Sequence, residues 1–244
     1  KYLVEEYDYV VNLGGYIDHT LFKDDGRRLI EAHFTTAQNL VELLPRKSLK
    51  RFVQIGSSDE YGNAPAPQQE QLRERPISPY SLAKVASTHL MQMLHRSEQF
   101  PSVVLRLFLT YGPGQDSSRF LPQVIKGCLN DDIFPSSGGE QLRDFCYVSD
   151  TVEAIMKIVE SPNVEGQVFN LGSGKKIKIR TMIEKVRNLI GRGKPDFGKI
   201  AYRSGENMNL YADISKIKTV IKWSPKITID EGIERTIKSY INKC

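Results

Sequence analysis

Nothing in the 244 residues resembles a membrane span, a secretion signal or a disulfide scaffold. No apolar run approaches the roughly 18 residues that a membrane helix needs. The opening Lys1-Tyr2-Leu3-Val4-Glu5-Glu6 lacks the apolar core of a signal peptide. Cysteine is scarce: Cys128, Cys146 and Cys244 are an odd, widely spaced set that matches no zinc or C-x-x-C pattern. Neither a disulfide framework nor a metal site is expected, and a reducing cytoplasm is the expected compartment. There is no internal repeat, no low-complexity tract, and no aromatic pair or Cys/His finger of the kind that binds nucleic acid.

The composition present, 40% hydrophobic with 26% charged residues, is that of an ordinary globular protein. The length suits one large domain, or one domain with a smaller lobe. The net charge of +5 is uneven, because residues 172–244 carry 17 Lys/Arg against 7 Asp/Glu, while residues 1–171 carry 17 against 22. A basic final third reads as a solvated face, or as an attraction for nucleic acid or for a diphosphate on a small ligand.

Hydrophobic periodicity organises the first half. Tyr9-Val10-Val11-Asn12-Leu13, closed by Gly14-Gly15, reads as a buried strand. Helical spacing follows over 29–44, then a strand at 51–55 running into Gly56-Ser57-Ser58. After a loop rich in Pro, Gln and Arg, residues 80–97 are helical, and Val103 to Leu109 reads as a third buried strand. Near-continuous apolar strands, alternating with helices, predict a doubly wound α/β core with a parallel sheet. Beyond Tyr111-Gly112-Pro113-Gly114 the alternation breaks down. Helices are expected near 121–129, 150–160, 180–190 and 230–241, with strands near 143–148 and 168–171. This half reads as a smaller α+β lobe interleaved with the first, and the division expected is 1–110 for the core and 111–244 mainly for the lobe.

Tyr80 and Lys84 form Y-x-x-x-K, which places both side chains on one helix face, one turn apart. An ammonium there lowers a phenol's pKa from about 10, towards exchange of protons near neutrality. The spacing alone is weak, since one or two such pairs arise by chance. Its setting is informative: no other tyrosine has Lys or Arg four residues on, and the pair follows a strand that ends at Ser57, where open α/β sheets bind ligands.

Several blocks carry a family resemblance. They are Asn12-Leu13-Gly14-Gly15, Ile55 to Gly62, Ser78-Pro79-Tyr80-Ser81-Leu82-Ala83-Lys84, Arg106 to Gln115, Arg143 to Val148 with Asp150, Phe169 to Gly174, Arg203-Ser204-Gly205-Glu206, Tyr211-Ala212-Asp213 and Trp223-Ser224-Pro225. In this order they resemble the extended short-chain dehydrogenase/reductases, the NAD-dependent epimerase/dehydratase family acting on nucleotide sugars. The resemblance implies a Rossmann-like sheet with a substrate lobe, and reversible hydride transfer between a sugar C4 and NAD or NADP. It implies catalytic roles for Ser57, Tyr80 and Lys84, with Tyr80 as general acid/base. Leu13, Gly14, Gly15 and Ile55, with Tyr80 and Lys84, would border the cofactor. Ser57, Ser58, Asp59, Arg119, Phe120, Phe134, Ser136, Arg143, Arg203 and Glu206 would face the nucleotide-diphosphate sugar, arginine suiting a diphosphate by its bidentate fork. A homodimer through the helices at 29–44 and 80–97 is expected by the same analogy.

The sequence departs from the family pattern in places. It contains no G-x-x-G-x-x-G loop, the turn that holds a dinucleotide pyrophosphate, and no acidic residue for the adenine ribose. The resemblance therefore implies either that the family's first strands lie outside these residues or that the protein does not hold a dinucleotide in the usual way, and that the 244 residues alone bind NAD(P) weakly or not at all. Leu109 replaces an Asn that contacts the sugar diphosphate in many relatives. His33 replaces an Asn in the helix and reads as a packing residue. Ser58-Asp59 stands where 4,6-dehydratases carry an acid pair. The expected activity is 4-epimerase or 4-ketoreductase, with a 4,6-dehydratase or a non-catalytic binding protein on the same fold as alternatives.

Overall fold

The computed structural model describes residues 5–203 and 205–241, so Cys244 and Ser204 lie outside the described residues. Four parallel strands make the first sheet: β1 (Tyr9–Asn12), β2 (Arg51–Ser57), β3 (Ser102–Leu107) and β7 (Val168–Leu171), in the order β1-β2-β3-β7. The inner strand β3 is buried at Ser102, Val103, Val104, Leu105 and Arg106, as expected of a parallel strand covered on both faces. On one face lie helix α1 (27–43) and helix α2 (Pro79–Glu98), where Ala37, Val41, Met91 and Leu94 pack on Phe52 and Val104. On the other lies α4 (Val148–Glu160), whose Ala154 and Ile158 join Val53, Val103, Leu105 and Phe169 in the largest core. This is the Rossmann-like doubly wound core.

Local chemistry sets the long helix. Ser78 caps α2 by accepting from the Ser81 N–H at 3.1 Å, Pro79 occupies the first turn, and Gln99 closes the helix in the left-handed region. Helix α1 is interrupted by a π-helical turn, Glu31–Thr35, which carries the buried His33.

The run expected as one strand over 103–109 is two. At Phe108 the backbone N–H turns to the Leu171 carbonyl, 2.9 Å away, and the chain leaves the first sheet to form β4 (Leu109–Tyr111). With α3 (Phe120–Leu129), β4 opens the second lobe. Its strands β5 (Ile133–Ser136), β6 (Leu142–Tyr147), β8 (Lys176–Lys178), β9 (Lys194–Phe197) and β10 (Asn209–Leu210) form a β10-β6-β4 sheet with β8 antiparallel to β6, and a separate β5-β9 pair. Helices α5 (Ile179–Ile190) and α7 (Ile229–Ile241) close the lobe's core around Met182, Ile183, Val186, Ile233 and Ile237, while α6 (Ser215–Ile221) sends Ile217 and Ile221 into the first core.

Interleaving is extensive. Asn170 on β7 donates to the Gln68 carbonyl at 2.9 Å and accepts the Tyr61 hydroxyl at 2.7 Å. Gln68 in turn accepts at its backbone carbonyl from the Asp213 N–H and donates its side chain to the Asn209 carbonyl. These bonds tie the loop between β2 and α2 to the end of the chain.

Candidate active site

The site forms where β1 and β2 end. β2 delivers Ser57 at its last position, and the chain tightens at once into a 3-10 turn, Ser58–Tyr61. Ser57 and Glu60 form a capping box: Ser57 Oγ accepts from the Asp59 N–H at 3.1 Å, and Glu60 accepts the Ser57 N–H at 2.8 Å. Glu60 is completely buried and also accepts from Thr88 Oγ1 on α2 and from Arg106 Nε on β3, each at 2.8 Å. All three of these partners donate to it, as suits the carboxylate form. Burial pushes the Glu60 carboxyl up, and Arg106 with the other donors pulls it back. Glu60 thus fastens Ser57, α2 and β3 to one another.

Helix α2 places Tyr80 and Lys84 opposite that turn. Both are nearly buried, and so is Ser57. The Ser57 side chain acts on the Tyr80 phenol, whose pKa it lowers. Lys84 Nζ donates to the Ile55 carbonyl at 2.9 Å and lies 5.9 Å from the centre of the Tyr80 ring. Tyr80 and Lys84, singled out from their spacing, therefore meet Ser57, which the resemblance brought in. The expected electrostatics differ: burial raises the Tyr80 phenol above its ordinary value, against the effect of Ser57, and Asp59 and Glu60 raise it further. The Lys84 ammonium does not reverse this, being directed at the Ile55 carbonyl and itself weakened by burial, which lowers its pKa while Glu60 raises it. Tyr80 is held as an acid.

The turn after β1 comes within reach of this pair. Leu13 is two-thirds exposed, the Gly14 N–H is bound by Asn12 Oδ1 at 3.0 Å, and Gly15 adopts φ +118°. A Cβ on Gly15 would lie 2.2 Å from His33 Cε1, so only glycine fits there. His33 packs as expected of a structural histidine, its Nε2 at 2.8 Å from the Tyr16 carbonyl and its ring edge-on to Tyr80 at 5.0 Å. Burial and the Lys84 charge lower its pKa.

Among the expected substrate residues, charged ones converge. Arg143 on β6 pairs with Glu206, and its charge is felt by Asp59 and Arg203. Arg119, at the start of α3, acts on both Tyr80 and His19, and Arg203 also acts on His19. Ser58, in the turn after β2, is buried. Three others pack within the second lobe: Phe120 leans on Phe145 at 6.1 Å, Phe134 fills the space above Gly127, and the Ser136 carbonyl accepts from the Ile200 N–H. These belong to the packing of the second lobe.

His19 was not anticipated. Its Nε2 is 3.8 Å from Asp59, and its ring meets the Tyr80 ring edge-on at 6.0 Å. Burial lowers its pKa, Asp59 raises it, and the two arginines lower it again. It lies in an irregular loop, where no periodicity marks it. Glu60 was also missed, although S-x-x-E from Ser57 is a readable capping signal.

Residues 1–172 match the sequence model of the NAD dependent epimerase/dehydratase family. The chain belongs to that family. A dTDP-glucose 4,6-dehydratase of Escherichia coli is 30% identical over 221 residues, covering 81% of this chain and 60% of that protein. A UDP-glucuronate 4-epimerase of Thermodesulfobacterium geofontis is 30% identical over 211 residues, covering 85% and 64%. The chain thus spans about three fifths of the length of these curated relatives. Among solved structures, a UDP-glucuronic acid 4-epimerase from Bacillus cereus, in complex with UDP-glucuronic acid and NAD, superposes with a TM-score of 0.87 at 27% identity, covering 97% of this chain and 76% of that one. A UDP-N-acetylglucosamine 4-epimerase from Methanobrevibacter ruminantium gives 0.90 at 26% identity, covering 97% and 77%. Family relatives thus include both epimerases and dehydratases, and the fold is theirs.

Proposed function

We propose that the protein is a nucleotide-diphosphate-sugar 4-epimerase or 4-ketoreductase that uses NAD or NADP. One observation carries the reading: Ser57, Tyr80 and Lys84 converge, nearly buried, beyond the ends of parallel strands, with the Ser57 side chain acting on the Tyr80 phenol and the Lys84 ammonium fixed on the Ile55 carbonyl. Three of the four proteins compared above are named as UDP-sugar 4-epimerases, one of them with NAD bound, and they support it, whereas the fourth is a 4,6-dehydratase.

The residues present fit the nicotinamide end of a dinucleotide. Gly15 keeps the turn free of a Cβ, Lys84 offers an ammonium to ribose hydroxyls, and Leu13, Gly14 and Ile55 line the approach as backbone. When bound, the nicotinamide supplies the hydride acceptor and donor for C4. The chain's own work is proton transfer and orientation. Ser57 holds the C4 oxygen, and Tyr80 gives a proton to that oxygen in reduction and takes it back in oxidation. Arg119, Arg143 and Arg203 gather positive charge for the diphosphate, Glu206 steadies Arg143, and Ser58 supports the sugar end. For Phe120, Phe134 and Ser136 we retain only a bordering role from the second lobe.

A second reading, the 4,6-dehydratase, draws on Asp59. This carboxylate stands beside Tyr80 with His19 Nε2 at 3.8 Å, a pair of proton-carrying groups on the sugar side. Among the described residues no helix is long and apolar enough to cross a membrane. A cytoplasmic homodimer is part of the proposal; α2 exposes Leu82 and Met93 along the face it would use.

Tyr80→Phe tests the mechanism. Turnover should fall by about two to four orders of magnitude, with nucleotide-sugar binding within about twofold of the parent. Turnover like that of the parent would refute it.

A further inference from the structure

The parallel register of β1 and β2 sets Asn12 beside Gln54. Both side chains are buried, Asn12 at 9% and Gln54 at 2% exposure, in strands otherwise rich in Val, Ile and Phe. Two buried amides are costly unless paired. Here the pairing is directional. Asn12 Nδ2 donates to Gln54 Oε1 at 2.9 Å, and Gln54 Nε2 donates to the Ile55 carbonyl at 3.1 Å. The same carbonyl accepts Lys84 Nζ at 2.9 Å. At the other end, Asn12 Oδ1 accepts the Gly14 N–H at 3.0 Å.

The result is one hydrogen-bonded line, from Lys84 on α2 through the Ile55 carbonyl, Gln54 and Asn12 to the turn after β1. An apolar pair of similar volume would fill the same space without polar groups, so core packing alone gives no reason for this pairing. Its two ends are the ammonium and the glycine turn that flank the proposed nicotinamide position. We infer that Asn12 and Gln54 are positioning residues that hold Lys84 and the Gly14–Gly15 turn in one mutual geometry, so that dinucleotide binding depends on both strands together. The inference rests on the cofactor reading of Lys84 and the turn.

The test compares the parent with Gln54→Met, Lys84→Met and the double variant. Exchange of the Gly14 amide is followed by NMR, with the Val103 amide at the sheet centre as reference for global stability. Gln54→Met should speed Gly14 exchange about tenfold relative to Val103, and Lys84→Met several-fold, with the double variant no faster than Gln54→Met alone. Unchanged Gly14 exchange in Gln54→Met, or effects that multiply, would overturn the inference. Calorimetric titration of the full-length protein with NAD separates it from the reading beneath it. Lys84→Met and Gln54→Met should each weaken NAD about tenfold or more, again without multiplying. Weakening by Lys84→Met alone overturns the positioning role, whereas no effect of Lys84→Met overturns the cofactor reading.

Discussion

Replacing Glu60 by glutamine probes the element on which the site is built. The side chain keeps its shape but loses the charge that faces Arg106 at 2.8 Å in a position without solvent. Removing one member of a buried ion pair costs about 3–5 kcal/mol, since the other charge is left uncompensated. Arg106 retains Glu74 at 2.5 Å, itself mostly buried, which places the loss at the lower end of that range. The amide adds a second penalty. Glu60 oxygens receive the Ser57 N–H, the Thr88 hydroxyl and the Arg106 Nε, so the glutamine NH2 must face a donor and leave it unpaired. A loss of about 3 kcal/mol follows, or a fall in Tm of roughly 6–12 °C for a chain of this size. Urea unfolding measures it as a lower midpoint at unchanged slope. In the Glu60→Gln/Arg106→Met pair, the double variant should cost less than the sum of the singles by more than about 1 kcal/mol. A single-variant loss under about 1 kcal/mol, or strict additivity, would refute the reasoning.

Other perturbations separate neighbouring effects. Gly15→Ala should destabilise by about 1–3 kcal/mol, because φ +118° and the contact with His33 both oppose a Cβ, whereas Gly114→Ala, at φ +79° with open space around it, should cost less; equal losses in denaturant unfolding would contradict the steric account. His33 has its pKa lowered from 6.5 by burial, so below that pH the unfolded chain binds more protons than the folded one. Its contribution to stability is therefore full above pH 6.5 and is lost as the pH falls towards the depressed folded value. His33→Gln should flatten the decline in urea midpoint between about pH 7 and pH 5, with the remaining slope shared by His19, and an unchanged slope would count against a neutral buried His33.

The long, strongly patterned elements were legible in the sequence. The strand from 51, the helix from 80 and its lysine one turn on need only local periodicity, and the structure places them as Arg51–Ser57 and Pro79–Glu98. The largely apolar run to Leu109 conceals a change of sheet at Phe108, since the deciding hydrogen bond to Leu171 spans 63 residues of chain. Strands such as Lys176–Lys178 and Lys194–Phe197 are short, charged and half-exposed, and they exist through pairing with β6 and β5 rather than through pattern. The same distinction holds at the site. Tyr80 and Lys84 were readable because both sit on one helix face. His19, and the partnership of Asn12 with Gln54, depend on neighbours that only the fold brings together.

The central claim is proton and hydride exchange at C4 through Tyr80 and Ser57, with Asp59 outside the chemical step. Mass spectrometry of the product formed in deuterium oxide tests it most directly, with a UDP-, CDP- or dTDP-hexose or its 4-keto-6-deoxy form as substrate. The account predicts a change at C4 with no deuterium at C5, and less than about tenfold loss of turnover in Asp59→Asn, equivalent to about 1.4 kcal/mol of transition-state stabilisation. Stoichiometric deuterium at C5, loss of water from the sugar and collapse of turnover in Asp59→Asn would contradict it and identify a dehydratase.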